Sequence, residues 1–346
     1  MDERYNSPVI LVTGATGFLG SHVAEALLAR GEAVRLLARR PEAAAWLVGR
    51  GAQCVAGDLS SAAALAAAVR GCRAVVHCAA LAADWGPWQA FREANDHGVA
   101  RLLEACRDQA LARFVHISTA DVYGYPDCDG LDEATPWRDR GFPYNSTKIA
   151  GERHAQAAQR AGLPVTVIRP GNIYGPRSIS FGSELVAAIK SGAPLIRGGR
   201  VNAGLVYVDN VVALILMALD QPAAVGATFH SVDDDGHTWR EYFTALCRGL
   251  DLPLPQRSLP RSLAYALATL MEWGARARRQ QRRPLLTRTA VELLGTRQGF
   301  SMARARRQLG FVPAVGFEEG LARTVAWLRT QSAPGSSTVT PVPPTA

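Results

Sequence analysis

The chain has 346 residues, 48% hydrophobic and 20% charged, with a formal net charge of +8, the profile of a soluble globular protein with room for a large core. All but two of its 38 basic residues are arginine, gathered late around 274–283 and 303–307 with no nucleic-acid module beside them; they read as a solvated basic face, and a nucleic-acid partner is not expected. No apolar stretch reaches the ~20 residues that span a bilayer, the N-terminal M-D-E-R-Y-N lacks the apolar run of a signal peptide, and six cysteines show no C-x-x-C or metal spacing, so a reduced cytoplasm and no metal are expected.

The first element is an apolar strand from Val9, running through Gly14, Gly17 and Gly20 into a helix from Phe18 to about Ala29. Gly14 permits a sharp turn, Gly17 a close backbone approach, and Gly20 tight packing of helix on strand. The free N–H groups and dipole at the helix start attract a phosphate anion; a Gly-rich turn without ligand is the alternative. Further strands are expected at 33–38, 53–56, 74–78, 113–118 and 165–169, and a long amphipathic helix over 88–109 turns Phe91, Val99, Leu102, Leu103 and Cys106 inward. A second helix covers 144–161.

After Pro170 the order loosens. A loop over 171–202 holds a helix near 183–190, then come a helix over 209–219 and a returning strand at 227–231. Helices follow at 238–249, 260–280, 286–295, 302–309 and 317–330. This alternation predicts an α/β fold, a Rossmann-type doubly wound parallel sheet with a smaller, mostly helical C-terminal lobe. Residues 1–176 form the sheet domain, with 203–231 returning to it. Residues 177–202 and 232–330 form the lobe, and 331–346 a disordered tail.

Tyr144 and Lys148 stand four residues apart, one turn along one helix face. A nearby cation favours phenolate and lowers a tyrosine pKa, which suits proton exchange with a carbonyl or alcohol oxygen. Lysine is rare in this chain, so Lys148 marks a place where a compact ammonium is needed and a guanidinium fork does not fit. Ser118 and Thr119 follow the fifth strand and offer hydroxyls. His77 reads as packing at a strand end, and Cys78, Ala79 and Ala80 leave room beside the fourth strand.

Together, T-G-A-T-G-F-L-G (13–20), G-D-L (57–59), H-C-A-A (77–80), N-D-H-G (95–98), S-T-A-D-V-Y-G (118–124), Y-N-S-T-K (144–148) and R-P-G-N-I-Y-G-P (169–176) resemble the extended short-chain dehydrogenase/reductase superfamily, the NAD-dependent epimerase/dehydratase group, over about 8–330. The resemblance implies Thr119, Tyr144 and Lys148 as catalytic residues. It implies cofactor contacts from Gly14, Thr16, Gly17, Phe18, Leu19 and Gly20, from Arg39, Asp58, Leu59, Ala79, Ala80 and Asn95, and from Tyr144, Lys148, Pro170 and Asn172. The stretches 79–88, 238–243, 284–295 and 300–311 look most like the 3β-hydroxysteroid dehydrogenase and dihydroflavonol-reductase-like branch. Asp96 departs from the apolar residue usual in the group.

The expected activity is NAD(P)-dependent interconversion of a secondary alcohol and a ketone. A nucleotide-sugar epimerase or dehydratase is a rival, although Ala120-Asp121 follows Thr119 where such dehydratases carry Asp-Glu. A non-catalytic cofactor-binding regulator is another. Ala38 followed by Arg39 and Arg40 suits the 2′-phosphate of NADP better than an acidic NAD-type residue would, with NAD the alternative. Trp85 and Trp88 are expected to wall a pocket for a bulky apolar substrate, whereas Arg177, Arg197 and Arg200 would suit a diphosphate. Leu263, Tyr265, Leu267, Leu270 and Met271 read as lobe core; the alternative is weak peripheral membrane contact beside the basic run 276–283. Besides a small-molecule substrate, a homodimer is the other partner considered.

Overall fold

Strand β1 (Val9–Thr13) is buried along its whole length. Ile10 and Val12 enter the core on one face of the sheet, Val9 and Leu11 the core on the other. A strand buried on both sides reads as an unbroken apolar run and needs helices above and below. In the computed structural model, which describes residues 9–332 except 234 and 281, six more strands join it: β2 (Val34–Ala38), β3 (Gln53–Ala56), β4 (Cys72–His77), β5 (Arg113–Ile117), β6 (Val165–Pro170) and β7 (Thr228–Ser231). Every pairing is parallel, in the spatial order β7-β6-β5-β4-β1-β2-β3. The winding reverses between β1 and β4, which opens a crevice at their carboxyl ends.

Helices Phe18–Ala29 and Val208–Asp220 cover one face, and that core continues without a break into Trp239, Tyr242, Phe311 and Phe317. Helices Ala62–Val69, Gly98–Cys106 and Pro143–Arg160 cover the other. Three short parallel pairs stand apart from the main sheet: Cys128–Leu131 with Gln298–Phe300, Asn172–Tyr174 with Leu205–Tyr207, and Leu195–Ile196 with Ser258–Leu259.

The expected helix over 88–109 is in fact Trp88–Arg92, a π-helical turn Glu93–His97, and Gly98–Cys106. At this turn Asn95 lies against the neighbouring helix so closely that a Cβ on Gly151 would sit 2.2 Å from the Asn95 carbonyl oxygen. Helix Ala62–Val69 was not expected, because a run of alanines carries little amphipathic signal; Ser61 caps it, accepting from the Ala64 N–H at 3.2 Å.

Helix Arg261–Ala277 corrects a further expectation. It buries Ala264, Ala268, Glu272 and Ala275, while Leu263, Leu267, Leu270 and Met271 face solvent. Small alanines, not leucines, make its core side. Gln331 and Ser332, expected in the tail, close helix Phe317–Ser332. The charged N-terminal hexapeptide and residues 333–346 lie outside the described residues. Among those described, no helix is long and apolar enough to cross a membrane.

Candidate active site

The loop leaving β1 is shaped by close approach. Gly14 has φ +72°, and a Cβ there would lie 2.7 Å from the Ala79 amide nitrogen; one on Gly20 would lie 2.3 Å from the Gly14 carbonyl oxygen. Thr13 ties the exits of β1 and β4 together: its Oγ1 lies 2.7 Å from His77 Nδ1 and accepts from the Ala79 N–H at 3.3 Å. Ala79 and Ala80 are therefore fixed beside the glycine loop. Thr16 and Gly17 are exposed, Phe18 is half-buried, and Leu19 and Gly20 are buried. Helix Phe18–Ala29 has no side-chain cap and no acid in its first turn, so its free N–H groups face the crevice's anion position.

At the far end of the crevice β2 stops at the buried Ala38, and Arg39 and Arg40 are exposed. Asp58 Oδ1 accepts from the Ser60 N–H at 2.8 Å and the Ser60 hydroxyl at 2.5 Å. These bonds, with the nearby Arg39 charge, hold its carboxyl below the ordinary value. Leu59 packs on Gly98.

The opposite end brings together the residues expected to move a proton. Helix Pro143–Arg160 presents Tyr144 and Lys148, with Pro143 in its first turn. Thr119 caps the turn Ala120–Tyr123, accepting from the Asp121 N–H at 3.2 Å, and its hydroxyl is placed to favour ionisation of Tyr144. Ser118 is committed elsewhere: its hydroxyl donates to Glu152 Oε2 at 2.5 Å. Lys148 is buried and donates to the Ile117 carbonyl at 2.7 Å. Burial lowers its pKa to about 8. The phenol does not follow the expectation of a lowered pKa. Burial, then the Asp121 carboxylate, raise Tyr144 above its ordinary value, and the Thr119 hydroxyl only partly opposes them.

Two residues of this site escaped the sequence reading. Asn145 clamps the Thr119 turn to the tyrosine helix, donating to the Asp121 carbonyl at 2.7 Å and accepting from the Arg140 N–H at 2.7 Å. Asp121 itself accepts from the Tyr125 hydroxyl at 2.9 Å, and burial pushes its carboxyl up to about 6. The signal available was an acid two residues after Thr119, within helical reach of nothing predicted, and only tertiary packing turns it toward Tyr144.

The remaining expected residues are spread around these two ends. Asn95 is buried and binds the loop after β4, accepting from the Leu81 N–H at 2.8 Å and donating to the Leu81 carbonyl at 3.1 Å and Thr147 Oγ1 at 3.2 Å. Its amide thus positions the loop. Asp96 pairs with His154 at 2.8 Å on the outside, so its departure from the apolar pattern leaves packing intact. Pro170 ends β6, and the Asn172 amide donates to the Ala203 carbonyl at 2.6 Å and Gln298 Oε1 at 3.2 Å. Trp85 and Trp88 line a cavity of about 280 Å³ with Phe142, Pro143 and Arg276, at the start of the tyrosine helix.

A family model described as the NAD dependent epimerase/dehydratase family matches residues 10–230. The chain belongs to the NAD-dependent epimerase/dehydratase family. As a member, it is 31% identical over 328 residues to a 2-alkyl-3-oxoalkanoate reductase of Stenotrophomonas maltophilia (strain K279a), covering 92% of this chain and 98% of that one. It is 28% identical over 326 residues to the decarboxylating sterol-4-alpha-carboxylate 3-dehydrogenase of Mus musculus, covering 91% and 89%. The solved structure of MoeE5 in complex with UDP-glucose and NAD shares the fold, with a TM-score of 0.73, 25% identity, and 94% and 100% coverage. With these relatives along nine-tenths of its length, this member is an oxidoreductase of the extended short-chain dehydrogenase/reductase type, on the 3β-hydroxysteroid dehydrogenase-like side. Its glycine cradle and uncapped helix start fit the family's dinucleotide: side chains are excluded where the pyrophosphate would lie and no acid opposes it.

Proposed function

We propose that the protein interconverts a ketone and a secondary alcohol on a bulky apolar substrate, with NADP(H) preferred over NAD(H). The Thr119–Tyr144 pair, with Lys148 buried one helical turn from the tyrosine, carries the reading. In the reducing direction Tyr144 gives its proton to the carbonyl oxygen. Its raised pKa keeps that proton in place until the oxygen becomes basic. Thr119 donates a hydrogen bond to the same oxygen and so steadies the charge that develops there. Lys148 would hold the nicotinamide ribose, and its charge would ease proton loss from the phenol once the two are bridged. The cofactor, when bound, supplies or accepts the hydride.

Ala38, Arg39 and Arg40 support the NADP preference, since the guanidiniums are exposed where the adenosine ribose would end. Trp85, Trp88 and Phe142 give the cavity one apolar wall, opposite a charged one of Glu272, Arg276, Arg279 and Arg288, and that aromatic wall supports an apolar substrate. Two arginines that would suit a sugar diphosphate are engaged elsewhere: Arg177 pairs with Glu25 and lies over Trp46, and Arg197 pairs with Asp127 at 3.0 Å. The test is NADPH consumption with long-chain and steroid ketones, alongside tryptophan-fluorescence titration with a UDP-sugar. Turnover of an apolar ketone supports the reading. Saturable UDP-sugar binding, with no apolar ketone turned over, replaces it with an epimerase or dehydratase.

A further inference from the structure

Helix Arg261–Ala277 carries an apolar stripe on its solvent side. Leu263 is 49% exposed, Leu267 40%, Leu270 65% and Trp273 72%, and Leu285 beyond the helix is 68% exposed. The four on the helix recur at three- and four-residue intervals, so they lie along one face. Scattered exposed leucines are ordinary, but a stripe of this length on a helix otherwise packed through alanines is an interaction surface.

The exposed charge at the C-terminal end of the stripe is predominantly positive. Arg276, Arg278, Arg279 and Arg282 are exposed at its C-terminal end. The one acid between 260 and 288 in the sequence is Glu272. It is buried and held by Arg288 at 2.9 Å and Arg276 at 3.5 Å. Arg276 shares Glu272 and Arg283 pairs with Asp84, but among the described residues no acid pairs with Arg278, Arg279 or Arg282, and a second copy of this face would bring none to them either. A partner must supply both an apolar layer and anionic groups. A helix of 17 residues is about 25 Å long, short for a span but sufficient to lie in the plane of an interface.

We propose that this face docks the protein on an anionic lipid surface. Leu263, Leu267 and Leu270 enter the acyl–headgroup boundary, Trp273 sits at headgroup level, and the arginines take lipid phosphates. The cavity lined by Trp85 and Trp88 also borders Arg276 and Arg279, so its mouth lies at the docked end of the helix. A lipophilic ketone then enters from the bilayer without crossing water. This last step rests on the apolar-substrate reading above; the docking itself does not.

The experiment is co-sedimentation of the full chain with vesicles of phosphatidylcholine alone and of phosphatidylcholine mixed with phosphatidylglycerol, without substrate. Binding to the mixed vesicles, weakened by salt, is expected. Leu270→Glu with Trp273→Glu should abolish it, with the circular dichroism spectrum and the thermal midpoint unchanged. Arg278→Gln with Arg282→Gln should weaken it about fivefold per charge removed. Absence of wild-type binding, or equal binding to both vesicle types, overturns the proposal. So does a wild-type dimer that the Leu270→Glu, Trp273→Glu variant converts to a monomer, since the face would then be a contact between copies. Because no substrate is present, failure of docking is distinguishable from failure of the ketone reading, which NADPH consumption in vesicle-free buffer reports.

Discussion

Lys148, which reaches from its helix to the end of β5, and Arg169, near the end of the neighbouring β6, are both buried cations, yet their surroundings differ. The Arg169 guanidinium uses four of its five N–H groups: it donates to Glu152 at 2.6 and 3.1 Å, to the Tyr123 hydroxyl at 2.5 Å and to the Glu133 carbonyl at 3.1 Å. Burial opposes its charge, but the Glu152 carboxylate outweighs burial and raises its pKa. Tyr123 extends the network to His230 Nε2 at 2.6 Å, and His230 Nδ1 lies 3.1 Å from the Ser301 carbonyl. Lys148 has the Ile117 carbonyl and a pKa lowered to about 8. Glu152, one turn along the same helix, faces Arg169 and Ser118 instead. A buried charge largely engaged by its own protein is scaffold. A buried charge with donors to spare and a strained protonation state is available to a ligand.

Arg169→Met should break this contrast most severely. It leaves Glu152 buried without its partner, which costs about 3–5 kcal/mol, read from the urea midpoint. Lys148→Met should change stability by less than about 1 kcal/mol in either direction, because the desolvation cost it relieves roughly offsets the hydrogen bond it removes. Equal destabilisation by the two substitutions contradicts the division into scaffold and site.

Lys148→Arg comes next. The charge is retained, but a planar fork does not fit a pocket shaped for one ammonium, and turnover should fall on the order of tenfold or more. Wild-type turnover would mean that the rare lysine has no special role.

The same contrast shows what the sequence makes legible. All seven strands of the main sheet and the glycine loop could be read, because strands buried on both faces are short apolar runs bounded by glycines and charges. Thr119, rather than Ser118, was chosen from the family motif; in the structure the Ser118 hydroxyl is engaged by Glu152. The Arg169 network was not legible, since its members come from segments as far apart as Tyr123, Glu152, His230 and Ser301. The short strands at 195–196 and 258–259 are too brief to show a period. In helix Arg261–Ala277 the leucines and the alanines each form a stripe, and periodicity alone does not say which one faces inward.

Asp121 sharpens the comparison as a third charge, this time disfavoured where it stands. Its pKa rises from 3.8 to about 6, so the folded chain holds a proton that the unfolded chain has released. Stability therefore falls as pH rises from about 4 to about 6. Asp121→Asn should remove that dependence, gaining about 1–2 kcal/mol at neutral pH relative to wild type and nothing near pH 3; a stability difference independent of pH would contradict it. The smallest effect is expected at the crevice's far end. Arg39→Ala should lower kcat/KM for NADPH by roughly tenfold, the loss of one charge-assisted phosphate contact, and leave NADH unchanged; an equal loss for both cofactors would remove the basis for NADP preference.

Tyr144→Phe tests the central claim most directly. The ring fills the same space, so NADPH binding followed by fluorescence should match wild type, while ketone turnover falls by about 10²–10⁴-fold. Near wild-type turnover in that variant would contradict the assignment of Tyr144 as the proton donor.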